Sequence, residues 1–566
     1  MFARQFGPAI ISAIGLGLSD IADTVVVGQK MGVTGIAAIS LCLPIFMIIN
    51  VIMHGLGIGG SVKFATFLAE GKQKNAKKIY KSTLIVSIGV SIILMIVGNL
   101  FLPNLLVVLG TSVEDGLLFE LTYNYVRIIL YGMPLFFLSY IMNYFLRNDD
   151  LEKIAGIGFT VGNICDLILN IIFVLFLDWG VVGAAYATLI GQGISIIIYL
   201  FAIYNNDNLK FNLIKPDLAL ILDSFKLGFA TSSQYLFLML FILISNNYLM
   251  NLMGSVGVAI FDVVLNASFI IYYLYEGTAK AAQPIISTYY GEKNLEGMKG
   301  ICAISIKWGS VLGGIGIMLL IVFSNTVCKI FGINNAQEIL QGSYALRIFA
   351  IGAIFGGINI LLESYFQSSN REKISFLIAI LRGAVILLPV TMILLGFGIK
   401  YFWFLFPITE ILTIIVSVIY YINTNTSKID FDSKRIYNKV IRSGEVELGG
   451  IIAEINVFCE SWEALPNQAY YVNMTIEELC GAIINNGFNI EEGLFEITLI
   501  ANKSNEFELH IRDNAISFNP FSLEVKEVSD EDDYDMNAMG VFVIKNKAKE
   551  FFYRRYQGFN VLVVKI

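Results

Sequence analysis

Histidine is almost missing from this sequence, and cysteine is sparse. His54 and His510 stand alone, and Cys42, Cys165, Cys302, Cys328, Cys459 and Cys480 form no Cys-x-x-Cys pair. That spacing argues against a structural zinc site and a disulfide framework. Charge is scarce as well: 15% of residues are charged, against roughly a quarter in an average soluble domain. No Gly-x-x-x-x-Gly-Lys-Ser/Thr loop occurs, which argues against an ATP-driven pump. The net charge of −7 carries little information, because part of the acidic excess lies in one segment, Ser529 to Asp535. Nucleic acid is not an expected partner. The first residues show no basic n-region and no small-residue cleavage site, so the first span is expected to direct its own insertion.

Apolar sequence fills the space that charge leaves. Hydrophobic residues make up 56% of the 566, and the mean hydropathy is +0.71. The excess runs from about residue 7 to 422. A span needs about 20 apolar residues. Candidate spans begin near Pro8, Ile36, Ser82, Thr122, Ala155 and Val181, then near Leu220, Gly257, Ile301, Gln341, Ile374 and Tyr401. Lys72, Lys74, Lys77, Lys78 and Lys81 crowd one loop; Lys210, Lys215, Lys293, Lys299, Arg371 and Lys373 fall in others on the same side. The loop at 104–121 has no Lys or Arg. The positive-inside rule then places the basic loops and both termini in the cytoplasm of a multi-pass protein of the cell membrane.

The two sets of spans are copies. Gly32, Gly35, Ala37, Gly55, Thr66 and Glu70 recur 222 residues later as Gly254, Gly257, Ala259, Gly277, Thr288 and Glu292. Arg127, Glu152 and Lys153 return as Arg347, Glu372 and Lys373. Duplicated membrane bundles are the usual frame of secondary transporters, in which two halves rock about a central site. With an even number of spans in each half, the pseudo-axis should run along the membrane normal.

Charged groups inside spans cost about 2.5–3.5 kcal/mol each at mid-helix, so they persist where they work or pair. Asp20 and Asp23 lie in the first span. Asp166 and Asn170 lie in the fifth at i, i+4 and so share a face. Glu276, Glu363, Arg382 and Glu410 lie in or at the ends of second-half spans. The frame repeats but these charges do not: Asp23 aligns with Ser245, and Asp166 with Ile386. A job held by one half only is expected, and cation coupling through Asp23, Asp166 and Asn170 fits it. Arg127 and Arg347 do repeat and read as structural, snorkelling from span ends.

Several ordered motifs carry a resemblance. ADTVVVGQKMG from Ala22, GLGIGGSVKFATFLAEGKQKNAKK from Gly55, GVVGAAYAT from Gly180 and AAQPIISTYYGEKN from Ala281 resemble the multidrug and toxic compound extrusion (MATE) transporters over residues 8–420. The resemblance implies two lobes of six helices around a central cleft, and export of drug-like compounds against an inward proton or sodium gradient. It also implies a first-lobe cation site at Asp23 and a span-five Asn-x-x-x-Asp pair. Here the order is swapped, Asp166 before Asn170. Glu276 and Glu363 are the candidates for a second-lobe polar site.

After Ile422 the chain turns polar, and NTNTSKIDFDSKRIYNK reads as a linker. FEITLIA from Phe495 and EFELHIR from Glu506 alternate as half-buried strands do. FFYRRYQGFNVLVVKI from Phe551 reads as a closing hairpin that turns at Gln557 and Gly558. TIEELCGAIINNGF from Thr475, IRDNAISFNPF from Ile511 and MGVFVI from Met539 are similar to the boxes of the GHKL ATP-binding fold of anti-sigma-factor kinases. The resemblance would put Glu478, Asp513 and Gly540 in a remnant nucleotide site. Ala482 replaces its magnesium-binding Asn and Ala515 its first glycine, which argues against magnesium-ATP, ATPase and kinase activity.

The expected fold is an all-α polytopic membrane protein of about twelve helices in two six-helix lobes, plus a C-terminal α+β soluble domain. The lobes span 1–205 and 220–422, with linkers at 206–219 and 423–440 and the soluble domain at 441–566. The expected function is a secondary transporter, not an enzyme. It would exchange protons or sodium for drug-like, often cationic, compounds across the lipid bilayer and require no cofactor. The soluble domain would be regulatory or vestigial, with a cytoplasmic protein as its candidate partner. Two alternatives stand beside this reading: a flippase for a lipid-linked or amphiphilic metabolite, and a membrane-tethered sensor signalling through the soluble domain.

Overall fold

The computed structural model describes residues 2–69, 72–149, 151–204, 209–210, 215–424, 433–442, 448–487, 494–502, 506–523, 536–556 and 559–566. The first half holds α1 (Phe2–Ala69), α2 (Gln73–Leu100), a short α3 (Leu102–Leu109), α4 (Leu117–Arg147), α5 (Glu152–Asn170) and α6 (Gly180–Tyr204). The second holds α7 (Leu218–Met253), α8 (Ser255–Gly291), α9 (Leu295–Val322), α10 (Ser324–Ile330) and α11 (Ala336–Ser368). It ends with α12 (Glu372–Ile380), α13 (Leu387–Leu395), α14 (Ile399–Phe402) and α15 (Leu405–Asn423).

Among the described residues, eleven helical stretches are long and apolar enough to cross a membrane. The first, Ile21–Phe67, contains two of the twelve expected spans, because α1 is broken at Gly32. Gly32 has φ 60° and ψ −150°, and Gly254, between α7 and α8, has φ 63° and ψ −150°. Only a residue without Cβ takes that conformation readily. The duplication read from the sequence is thus written into the backbone at two matching corners. The basic loops fall at one end of the bundle (the basic end), and both corners lie at the opposite, far end.

Two helices widen midway. α5 runs into a π-helical turn over Ile171–Phe176, and α12 passes through another over Leu381–Val385 before α13. Such turns commonly sit at functional sites, and both lie beside the charged groups described below. At the far end the halves meet tightly: Gln29 Nε2 donates to the carbonyls of Lys329 (2.8 Å) and Ile330 (2.6 Å). Asn247 Nδ2 donates to the Val108 carbonyl at 3.0 Å. At the basic end Asp217 caps α7 by accepting from the Leu220 amide and pairs with Lys78 of α2 at 2.7 Å.

The soluble domain is a five-stranded antiparallel sheet in the order β1-β2-β3-β5-β4, with three helices. Its strands are β1 (Ile436–Arg442), β2 (Leu494–Ala501), β3 (Phe507–Asp513), β4 (Glu550–Tyr556) and β5 (Phe559–Lys565); its helices are α16 (Leu448–Ser461), α17 (Pro466–Gly487) and α18 (Met536–Lys547). One difference from the sequence reading is the linker: its last residues form β1 and pair with β2, so the domain begins before 441. The hairpin turn at Gln557 and Gly558, Glu70, and the acidic run Asp530 to Asp535 lie outside the described residues, as does the Asp20 side chain.

The contact between this domain and the membrane bundle is polar and buried. Glu496 on β2 and Arg512 on β3 are cross-strand neighbours on the sheet face that meets the α8–α9 turn. Arg512 forms an ion pair with Glu292 and lies 3.4 Å from Glu496. Its guanidinium sits 4.6 Å above the Tyr289 ring. Asn294 Nδ2 donates to Glu496 at 3.0 Å, and Lys293 Nζ to Asn502 at 3.2 Å. Glu292, Asn294, Glu496 and Arg512 are all buried.

Candidate functional site

A cavity of about 600 Å³ lies between the two halves. Charge enters it from both. On the first-half wall, Asn170 Nδ2 donates to Asp23 Oδ1, and Thr188 on α6 lies 3.5 Å from Asp23 Oδ2. Asp166 sits beside the same group, near both Asp23 and Thr188. The structure therefore brings together the three residues singled out for cation coupling, Asp23, Asp166 and Asn170, and adds Thr188. The swapped Asp-x-x-x-Asn order still works geometrically, because either residue of an i, i+4 pair faces α1. Among the described residues, Oδ1 of Asp166 and Oδ1 of Asn170 are buried without a hydrogen-bond partner. Unsatisfied oxygens at that depth are costly unless something binds them.

On the second-half wall, Arg382 in the π-helical turn grips Glu410 on α15 through two nitrogens, at 2.9 Å each. Asn359 on α11 donates to Glu410 at 2.7 Å, and Tyr272 on α8 lies 3.5 Å from it. Glu363 is 3.7 Å from the same guanidinium. Glu276 pairs with Lys280 one turn on, at 3.3 Å. Glu276 and Glu363, the second-lobe candidates, thus each face a basic side chain, and the two carboxylates also lie close enough to act on each other electrostatically.

The sequence reading passed over Asp262. It lies on α8, is 1% exposed, lines the central cavity, and accepts from Asn266 Nδ2 at 2.8 Å. The signal that could have found it is simple: an acid two turns past the Gly254 corner, where the first repeat has Ser40.

The walls between these groups are aromatic. Phe46, Phe136, Tyr140, Tyr235, Phe241 and Tyr273 all face the cavity. A second space of about 430 Å³ shares Asn50, Tyr140, Phe159, Gln192, Tyr235 and Tyr273 with it and reaches His54, Tyr144 and Arg147. Aromatic faces and carboxylates together suit a cationic amphiphile.

Residues 8–178 and 231–393, more than half of the sequence, match the family model MatE. The chain belongs to the MatE family. Two curated relatives of this MatE transporter are named as multidrug proteins. One is the probable multidrug resistance protein YoeA of Bacillus subtilis (strain 168), 22% identical over 62% of this chain and 78% of its own length. The other is the multidrug export protein MepA of Staphylococcus aureus (strain MSSA476), 23% identical over 63% of this chain and 79% of its own. Among solved structures, an inward-facing MATE family transporter of the MOP superfamily superposes with a TM-score of 0.65, 21% identity, 71% of this chain and 93% of that one. The MATE multidrug transporter DinF-BH, solved as a complex, gives 0.59, 23%, 76% and 96%. Both share the two-lobe fold. The matched family segments end at 393, ahead of the soluble domain.

In that domain, Glu478 on α17 packs against Gly540 on α18 so closely that a Cβ on Gly540 would overlap its carboxylate. Asp513 closes β3, fully buried, accepting from the Ala515 amide at 3.0 Å and Asn560 Nδ2 at 2.7 Å. Burial pushes its carboxyl up to about 6. Its Oδ2 is buried and unpartnered among the described residues. Glu478 and Gly540 are thus brought together, while Asp513 is already held by the domain's own Asn560.

Proposed function

We propose that this MatE protein is a cation-coupled antiporter of the cell membrane that exports drug-like, often cationic, aromatic compounds by alternating access. The observation that carries this reading is the group Asp23–Asn170–Asp166–Thr188 opening onto an aromatic cavity between the halves. A carboxylate pair in such a place binds a proton or a sodium ion when the group faces one side of the membrane and gives it up on the other. Rocking of the halves then exchanges the ion for the organic cation. The distribution of basic loops supports a topology with both termini in the cytoplasm. The names of the multidrug relatives support the substrate class. The soluble domain acts on transport as a regulator, because it holds the α8–α9 turn rather than hanging free.

The test is efflux of a cationic dye from reconstituted vesicles under an imposed proton or sodium gradient. Wild type should extrude dye under one of the gradients, and Asp23→Asn and Asp166→Asn should each abolish it. Efflux that persists undiminished in both variants would remove the first-half group from the mechanism.

A further inference from the structure

Five polar side chains meet where α1, α7 and α8 cross between the halves. Thr24 and Ser40 come from the two arms of α1, Asn246 from α7, and Asp262 and Asn266 from α8. All five are at least nine-tenths buried. Asp262 Oδ2 accepts from Asn266 Nδ2 at 2.8 Å, and the same amide lies 3.5 Å from Thr24 Oγ1. The Thr24 and Ser40 hydroxyls lie beside the Asp262 carboxylate, and the Ser40 hydroxyl also faces Asn246 Oδ1 at 3.5 Å. Neither completes a hydrogen bond to Asp262 Oδ1, which is buried and unpartnered among the described residues. Asn246 Nδ2 donates to the Ser40 carbonyl at 2.9 Å.

The arrangement follows the duplication. The 222-residue offset places Asn246 on Thr24 and Asp262 on Ser40. The contact of Thr24 with Asp262 and the contact of Asn246 with Ser40 are therefore two copies of one interaction about the pseudo-axis. Ser40 and Asp262 each lie eight residues past their glycine corners, about 12 Å along the helix. One copy has a neutral hydroxyl where the other has an acid.

Asp262 has no ion pair among the described residues, whereas Glu410 and Glu363 share Arg382. A carboxylate this deep, with only hydroxyls and amides around it, is tolerated when a cation neutralises it. The site offers the open carboxylate oxygen of Asp262 and the hydroxyls of Thr24 and Ser40, oxygen donors suited to a hard cation, while Asn266 turns its amide nitrogen to the carboxylate and positions it. The nearby groups add no positive charge. Tyr125 of α4 lies among Asp23, Asp166 and Asp262, with the Cys42 thiol also near. The paired Arg382 and Glu410 line the same cavity.

We propose that Asp262, with Thr24 and Ser40 and with Asn266 positioning its carboxylate, is a second binding site for a monovalent cation, shared between the two halves. It rests on the antiporter reading but is a separate site from Asp23 and Asp166. Its donors belong to opposite halves, so the site is whole only while the far end is closed. Opening the far end pulls Thr24 and Ser40 away from Asp262, and the cation leaves to that side. Rebinding draws the halves together again.

The experiment uses the full-length protein in lipid nanodiscs. Equilibrium binding of radioactive sodium at fixed pH is one arm. Proton release and uptake in sodium-free buffer is the other. Wild type and Asp262→Asn are compared, with dye efflux measured separately. Loss of one equivalent of sodium in Asp262→Asn assigns a sodium site. Loss of one proton equivalent without change in sodium assigns a proton site. No loss in either arm overturns the proposal. Ser40→Ala keeps the carboxylate and guards against misfolding of the first variant; it should weaken the same equivalent by about 10-fold or more, and unchanged affinity there also counts against the site. Absent dye efflux with that equivalent intact would sink the exporter reading and leave this site standing.

Discussion

Arg512 on β3 and Glu292 at the end of α8, 220 residues apart in sequence, form a buried ion pair that fastens the soluble domain to the membrane bundle. Burial pushes the Glu292 carboxyl up, and the Arg512 guanidinium pulls the other way. Breaking one side of a buried pair costs about 3–5 kcal/mol because it strands the other charge. Arg512→Ala should release the domain, and hydrogen exchange across residues 506–513 and 289–294 should rise together. A rise confined to the sheet would show that the pair fastens nothing.

Asp513 makes the domain sensitive to pH. The folded state holds its proton more tightly than the unfolded chain, since burial lifts the carboxyl from 3.8 to about 6. Its stabilising contribution is complete below about 3.8 and is lost as pH rises through about 6. A rise of that size corresponds to about 3 kcal/mol. Asp513→Asn should flatten the pH dependence of β3 protection between about pH 4 and 7. The check is hydrogen exchange corrected for its intrinsic pH dependence.

Gly254 isolates the cost of a corner. A Cβ there would meet nothing within 4 Å, so Gly254→Ala pays only for the backbone conformation, φ 63° and ψ −150°. That cost is about 1–3 kcal/mol. Thermal unfolding in detergent should show a lowered midpoint for Gly254→Ala and a similar one for Gly32→Ala, where the nearest atom is 3.7 Å away. An unchanged midpoint in both would mean that the corners relax freely.

Gly28 should behave differently. A Cβ there would overlap the Phe331 carbonyl of the opposite half. The clash exists only while the far end is closed. Gly28→Ala should therefore shift the protein toward a far-end-open state. Hydrogen exchange of 328–335 should increase while the interior of α4 stays protected. Equal loss of protection in both would point to misfolding instead.

Arg382 holds Glu410 in the second-half wall. Arg382→Met should destabilise by about 3–5 kcal/mol. Adding Glu410→Gln should recover part of that, since Glu410 is then no longer stranded while Glu363, 3.7 Å from the same guanidinium, still loses its partner. The double-mutant cycle on thermal midpoints decides it: additive losses would mean the two do not depend on each other.

Much of the frame was legible because it rests on local rules. The repeated glycines marked the duplication, and two of them, Gly32 and Gly254, prove to be corners whose backbone needs a residue without Cβ. Strand alternation from Phe495 and Glu506 marked β2 and β3. Asp23, Asp166 and Asn170 could be grouped because intramembrane acids are few and i, i+4 residues share a face. What stayed hidden depends on contacts between distant segments. Asp262 looks like one acid in an apolar run until Thr24 and Ser40 arrive from the other half. Arg512 occupies an alternating strand position that reads as solvent-facing, and only the α8–α9 turn makes it an interior charge. The π-helical turns after Asn170 and at Leu381 leave no periodic signal at all.

Among the described residues, the soluble domain holds the second half through the ion pair at the α8–α9 turn, and it follows α15 of that same half in sequence. If the halves rock as proposed, the sheet travels with the second half relative to the first-half loops, and the separation between, say, Tyr470 and Lys74 becomes a gauge of transport state. A donor and acceptor dye on those two exposed positions would turn the domain into a built-in pointer, readable one molecule at a time.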